Sequence, residues 1–404
     1  MKSVELMQSA ENKISFRTYR QLKNIALHST EAGKGRTFIV ASVHGKEDAA
    51  TATRTLYTMI ADALYDKRIE IVHERIFGNL SVEPAVLRER KTALSERQVP
   101  ADGAFTYVEG NPPWGEGLAG IIIHAVSLNS ADNVWTIMDG ENPCGRGWRR
   151  NGPTYLLLQN INGQYDSSWE NESRPFQVQQ MLDRAERLLR ENGASYGEVV
   201  KTWFYLPDIL DWYAAFNKVR NEKYGEFGIM PGPGDTRLLL PASTGIGVRT
   251  PSQATSAMDL LALVDNGNSF SRVKQLTSRG QLDAFRYGSA FSRGAVIHES
   301  DVSLIEVSGT AAIDQRGRSL YPGDIRSQVN CTLDKIKTLL GQEGGILTDI
   351  CAATVFVKRP EYAEVFWEVA ADRRLDNFPA VCVVADVCRE ELLFEIDAEA
   401  AVRK

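Results

Sequence analysis

The sequence predicts an α+β chain in which one unit, strand–helix–strand–helix–strand, occurs three times in tandem. Three observations carry this. Apolar, β-branched runs recur at matching places in each third of the chain. Between them lie segments with apolar residues at helical spacing. The chain then closes on a long double-strand segment, residues 378–400, that has weaker counterparts upstream.

The first strand of each unit reads TFIVASV (37–43), TYLLLQNI (154–161) and LIEVSGTAAI (304–313). A helix follows each. The first carries Leu56, Met59, Ile60, Ala63 and Leu64 on one face; the second carries Phe176, Met181, Leu182, Ala185, Leu188 and Leu189; the third carries Ile325, Val329, Leu333, Ile336, Leu339 and Leu340. Gly193 and Gly341 stand where a glycine ends the second and third helices. The next strands are EIVHERIFG (70–78), EVVKTWFYL (198–206) and DICAATVFV (349–357). Second helices follow at 83–94, 208–224 and 360–374, with Pro84 and Pro360 near two of their starts, where proline is tolerated. A proline-led strand closes each unit, with Pro113, Pro241 and Pro379 as expected equivalents. The expected division is 1–139, 140–268 and 269–404. The first third rests on element order alone, and an unrelated α/β domain is the alternative there.

Composition bounds the function. The chain has 404 residues, 43% hydrophobic and 24% charged, enough for several packed cores. A net charge of −6 argues against nucleic-acid binding. No run approaches the roughly 18 apolar residues of a membrane span. The N-terminal MKSVELMQSAENK lacks an apolar signal core, so a cytoplasmic location is expected. The five cysteines form no CxxC pair and no disulfide framework. No His lies at metal-ligand spacing with another His or Cys, so neither metal nor cofactor is expected.

The closing segment is FPAVCVVADVCREELLFEIDAEA. Its second strand carries Glu395 between Phe394 and Ile396. A carboxylate on a half-buried strand is unfavourable unless paired or protonated. It is either a cross-strand ion pair, an outward-facing side chain, or a working acid. Cys388 is either a small buried hydrophobe or a site residue. Arg293 is a surface charge or a carboxylate ligand.

Pro379-Ala380, the Val-rich strand, and Glu395-Ile396-Asp397-Ala398 resemble the closing signature of the RidA/YjgF superfamily. The longer run Asp386, Val387, Cys388, Arg389, Glu390, Glu391, Leu392, Leu393, Glu395 and Ile396 resembles one branch, the chorismatases. The resemblance covers about 150–400 and is strongest at the C-terminus. It implies chorismate-mutase-like lobes arranged as a pseudo-trimer within one chain, since RidA proteins are trimers of such units with sites in the clefts between neighbours. It implies that Glu395 donates a proton, that chorismate loses pyruvate, and that Cys388 goes with 3-hydroxybenzoate as product and a smaller apolar residue with a dihydrodiol. RidA deaminases carry Arg directly after the Pro-Ala pair; here Val381 stands there, which disfavours their enamine substrates. Phe291 and Arg293 match the end of the chorismatase recognition segment, whose earlier part is shortened here to Tyr287-Gly288. Arg293, with Arg286 or Arg359, is expected to hold the carboxylates, and Tyr287 and Phe291 are expected to contact the substrate. Gly309, Thr310 and Gln328 are expected to line the cleft. Leu261 is the expected middle-lobe counterpart of Glu395, leaving that lobe without the acid. The alternatives are a RidA-type hydrolase or deaminase acting on another small metabolite, or a metabolite-binding protein without catalysis. A small-molecule substrate is the expected partner. The chain would act as a monomeric pseudo-trimer or a homo-oligomer.

Overall fold

A computed structural model of the chain describes residues 2–4, 16–33, 35–65, 69–127, 133–150, 152–164, 172–232, 239–265, 272–277 and 288–404. Its strands form three sheets. The first holds β1 (Lys2–Val4), β2 (Phe16–Leu22), β3 (Ile25–Glu31), β4 (Arg36–Val43), β5 (Ile69–Gly78), β6 (Thr106–Glu109) and β7 (Leu118–Ser127), in the order β1-β2-β3-β4-β7-β5-β6. The second holds β8 (Val134–Asp139), β9 (Asn142–Arg149), β10 (Thr154–Asn162), β11 (Val199–Tyr205), β12 (Ala242–Ile246) and β13 (Ala257–Val264), in the order β12-β11-β13-β10-β9-β8. The third holds β14 (Val273–Leu276), β15 (Gly294–His298), β16 (Val302–Thr310), β17 (Ile350–Val357), β18 (Ala380–Val384) and β19 (Phe394–Arg403), in the order β14-β15-β16-β19-β17-β18. The described α-helices are α1 (Ala49–Tyr65), α2 (Glu83–Glu96), α3 (Arg174–Glu191), α4 (Ile209–Glu226), α5 (Ile325–Gly341) and α6 (Tyr362–Asp372).

The three sheets share one connectivity. A hairpin leads into a helix, a strand, a second helix, a short parallel strand and a closing strand. The closing strands β7, β13 and β19 insert antiparallel between the two long strands of their own lobes. The pairs β5/β6, β11/β12 and β17/β18 are parallel. Each spans a helical crossover, as a parallel pair requires. A closing strand is therefore central and covered on both faces, which explains the unbroken apolar run Ile121-Ile122-Ile123 in β7.

The first lobe departs from expectation at its proline-led strand. Its short parallel strand is β6, upstream of Pro112 and Pro113, and the apolar run after them is the closing strand β7. Pro113 is thus not the counterpart of Pro241 and Pro379. β8 pairs with β9 in the second sheet. Ser173 and Asp324 cap α3 and α5 through their side chains. Gly193, at φ +78°, ends α3 as expected, whereas Gly341 is still helical and Gly344, at φ +73°, makes the turn after α5. Phe176, in the first turn of α3, is exposed rather than packed.

Each helix pair covers one face of its own sheet. The opposite faces of all three sheets meet in a shared core. Phe38, Val72 and Ile122 come from the first lobe, Trp148, Tyr155 and Trp203 from the second, and Ile297, Leu304 and Phe356 from the third. Three buried carboxylates stitch this core. Asp259 of β13 accepts from Tyr205 of its own lobe, from Thr106 of the first, and pairs with His73 at 3.1 Å. Glu299, between β15 and β16, takes Arg36 of the first lobe and the Tyr155 hydroxyl of the second. Asp397 of β19 takes Lys201 from the second lobe at 2.6 Å and Arg75 from the first at 3.1 Å. Removing one partner of such a buried pair typically costs about 3–5 kcal/mol, because the other charge is stranded. No described helix is long and apolar enough to cross a membrane.

Candidate active site

β19 alternates Phe394, Glu395, Ile396, Asp397, Ala398, Glu399. Phe394, Ile396 and Ala398 face the helices α5 and α6 in the lobe's own core. By the period of a strand, the three carboxylates face the other way, toward the other two lobes. Asp397 and Glu399, to which the sequence reading gave no role as acids, are both buried on the same face.

Register locates Glu395 in the other lobes. Phe356 of β17 pairs with Glu395, Tyr205 of β11 with Ala257, and Phe77 of β5 with Gly120. Counted from the matching bulges, Ala257 and Gly120 are its counterparts. Leu261 instead matches Glu399, and Asp259 matches Asp397. Apolar runs alone set Leu261 opposite Glu395; the bulges in β11 and β17 set the true frame. Neither of the other lobes carries a carboxylate at this position.

Glu395 is 5% exposed. Burial first, and the negative charge of Asp397 second, push its carboxyl up to about 8, against the pull of Lys201 and Arg293. Asp397 behaves in the opposite way. Burial opposes its ionisation, but Lys201 and Arg75 bring it down to about 2. Its Oδ1 accepts from Lys201 and from Thr244 Oγ1 at 2.8 Å; its Oδ2 accepts from Arg75 and from Trp203 Nε1 at 2.8 Å. Two carboxyls two residues apart are thus held in different protonation states, one by stranding and one by pairing.

Opposite Glu395 the ladder between β16 and β19 is interrupted between Val307 and Thr310. Gly309 sits in that irregularity. A Cβ there would lie 2.1 Å from Glu395 Oε1, so only glycine leaves room for the carboxyl. The Gly309 N–H donates to Thr244 Oγ1 at 3.1 Å, tying this gap to the Asp397 cluster.

Glu395 opens on a cavity of about 610 Å³ at the seam of the second and third lobes. The middle lobe contributes one wall through Tyr213, Asn217, Lys218, Arg220 and Asn221 of α4 and Ser243 and Gly245 of β12. Phe291, Arg293, Gly309, Cys388, Arg389 and Glu395 line the other side. Four lining side chains are cationic and one is acidic. Arg293 is 2% exposed, with its guanidinium 5.3 Å from the Phe291 ring. Arg220 is buried against Phe204, Phe216 and Phe291 and donates to Asn217 Oδ1 at 2.6 Å. Arg389 donates to the Gly317 carbonyl at 2.6 Å. Burial, then Glu395, push the Cys388 thiol up to about 12, so it carries its proton at neutral pH.

Of the expected residues, Glu395, Cys388, Arg293, Phe291 and Gly309 meet at this cavity. Thr310 does not line it: its hydroxyl donates back to the Ser308 carbonyl at 2.7 Å. Gln328 is a buried brace, donating to the Glu391 carbonyl and accepting from the Leu393 N–H, which fixes the turn before β19. Arg359 is exposed and lies outside the lining. Arg286 and Tyr287 lie outside the described residues. The α4 residues went unread because Lys218, Arg220 and Asn221 look like the solvated face of an ordinary helix. Tyr213, Asn217 and Asn221, at four-residue spacing, were the available signal. Among the described residues, no group of three or more His, Cys, Asp or Glu is placed to hold a metal.

Comparison with known proteins agrees with this architecture. The Endoribonuclease L-PSP family model matches residues 284–402. A RutC family protein of Sulfurisphaera tokodaii is 35% identical over 95 residues, covering 23% of this chain and 76% of the relative. The chain belongs to the RidA/YjgF superfamily. Within it the likeness is to chorismatases. The chorismatase of Streptomyces hygroscopicus is 24% identical over 229 residues, 51% of this chain and 62% of that protein's length. A crystal structure of a chorismatase superposes with a TM-score of 0.57 at 20% identity, covering 82% of this chain and 93% of the other. The three lobes thus share one fold, the first included.

Proposed function

We propose that this RidA/YjgF protein is a chorismatase-like enzyme that cleaves the enol-pyruvyl ether of chorismate by acid catalysis from Glu395. The observation that carries the reading is a buried carboxyl, pushed up to about 8, facing a cavity lined by four cations. A dianionic substrate suits that lining. Its enol ether needs a proton at carbon, which a carboxyl still protonated at neutral pH can deliver.

Glu395 donates its proton to the methylene carbon, and the ether oxygen stabilises the resulting oxocarbenium ion. Water addition and collapse of the hemiketal release pyruvate and leave a dihydrodiol. The added water's oxygen leaves in the pyruvate ketone; elimination of the neighbouring ring hydroxyl with a ring hydrogen, as a second water, gives 3-hydroxybenzoate, so pyruvate and 3-hydroxybenzoate form with no net uptake of water. Arg293 and the α4 cations Arg220 and Lys218 hold the carboxylates. Asp397, ionised at the Lys201 and Arg75 hub, keeps Glu395 protonated by charge repulsion. Cys388 is a neutral wall beside the acid, and its presence favours 3-hydroxybenzoate. The chain works in the cytoplasm as a pseudo-trimer with one acid-bearing cleft.

The test is chromatography of a chorismate incubation with pyruvate assayed in parallel. Pyruvate with 3-hydroxybenzoate, lost in Glu395→Gln, supports the whole reading. Pyruvate with a dihydrodiol keeps Glu395 and removes the role of Cys388. No consumption of chorismate overturns the substrate assignment.

A further inference from the structure

The seam between the third and first lobes carries a second cavity, of about 560 Å³, with opposite chemistry. α6 and the residues before it stand here as α4 does at the first cavity. His44, just beyond β4, and Trp114, in the turn before β7, supply the facing wall. At the register position of Glu395 this seam has Gly120, and the Val381 side chain lies 2.7 Å from where its Cβ would be. The catalytic position here is thus empty of acid and packed from the neighbouring lobe.

The lining is aromatic and acidic. The half-buried indoles of Trp114 and Trp367 flank the His44 ring, whose centroid is 6.2 Å from one and 5.6 Å, edge-on, from the other. The ring is held by Ser42 Oγ at 2.9 Å from its Nε2. Trp114 is carried on a turn closed by the Gly115 N–H to the Pro112 carbonyl and by Asn79 Oδ1 accepting from the Gly117 N–H. Glu361 and Glu364, on the exposed rim, pair with no cation among the described residues. The exposed cations adjacent in sequence, Lys46 and Arg359, are not part of the lining.

We propose that this seam binds a small organic cation of the methylated-ammonium class. Indole rings carry a negative quadrupole that attracts a poorly hydrated cation, and the two carboxylates supply the charge complement at the rim. Anions are disfavoured by the same carboxylates, so the two seams select ligands of opposite sign. The cage is built before the ligand arrives, since both indoles pack on their own lobe cores.

Isothermal titration calorimetry of the full chain with choline chloride tests this, against 3,3-dimethylbutan-1-ol, its uncharged isostere, at matched ionic strength. One choline is expected per chain, with the alcohol at least about tenfold weaker. Glu361→Gln/Glu364→Gln, both on the surface, should weaken choline about tenfold and Trp367→Leu at least as much. Arg293→Ala, at the other seam, should bind choline as wild type does. Equal binding of the alcohol, no binding at concentrations up to about 20 mM, or loss of binding in Arg293→Ala with the glutamate variant unaffected would overturn the proposal.

Discussion

Replacing Glu395 with Gln should stabilise the protein, and by an amount that depends on pH in a specified way. In the unfolded chain this carboxyl titrates near 4.5; in the folded chain it is pushed up to about 8 by burial, then by Asp397. Between those values the unfolded state gives up a proton that the folded state keeps. Native stability therefore falls as pH rises through the interval. Each pH unit is worth about 1.4 kcal/mol. From 4.5 to pH 7 the penalty accumulates to about 3 kcal/mol. Gln has the shape of the protonated acid and cannot ionise, so the variant escapes the penalty. The difference should be near zero around pH 4.5, widen by about 1.4 kcal/mol per unit, and level off near pH 8. Glu306, also pushed up to about 8, is present in both proteins and drops out of the difference. Urea midpoints of wild type and Glu395→Gln at pH 5, 6, 7 and 8 measure this, with no assumption about substrate. A gap that stays constant over that range, or narrows as pH rises, would refute the claim that the folded protein keeps this proton.

Three further outcomes are expected. Gly309→Ala places a methyl 2.1 Å from Glu395 Oε1 and must displace the carboxyl; pyruvate release should fall about 100-fold with an unchanged circular dichroism spectrum, and a wild-type rate would show that the acid's position is not critical. The turnover rate should be flat at neutral pH and drop about tenfold per unit above pH 8 as Glu395 ionises; a decline beginning near pH 5 would mean an ordinary carboxyl. Lys201→Met leaves Asp397 short of one cation and should cost about 3–5 kcal/mol in thermal or urea unfolding, with Lys201→Met/Asp397→Asn less damaged than the two single losses added together.

Much of the fold was legible because periodicity is local. The helix faces of α1, α3 and α5, and the long strands they join, follow from residue spacing alone. The β6 and Leu261 misreadings share a cause: apolar runs say that a segment is buried, but register is set by bulges and crossovers that leave no mark in composition. Glu395 was legible because a charge between two large apolar residues on a strand is rare enough to notice. Asp397 was not, because its meaning depends on Lys201 and Arg75, nearly two hundred and more than three hundred residues away in sequence. The same distance hid the α4 cations, which become site residues only when a second lobe closes over them.

The Asp397 cluster says something about why three lobes share one chain. In a ring of identical subunits, every residue is copied three times, and any change at one cleft is imposed on all. Here one aspartate draws a lysine from one neighbour and an arginine from the other, and the strand position of Lys201 is Ala352 in the third lobe. Identical subunits would repeat that lysine at all three places, where the other lobes here carry His73 and Ala352. Tethering turns each seam into a separate variable: one can keep an acid, another can be filled with a valine, and a substitution is tested at a single place. The linkage between lobes acts as a licence for asymmetry, and the unequal clefts are its result.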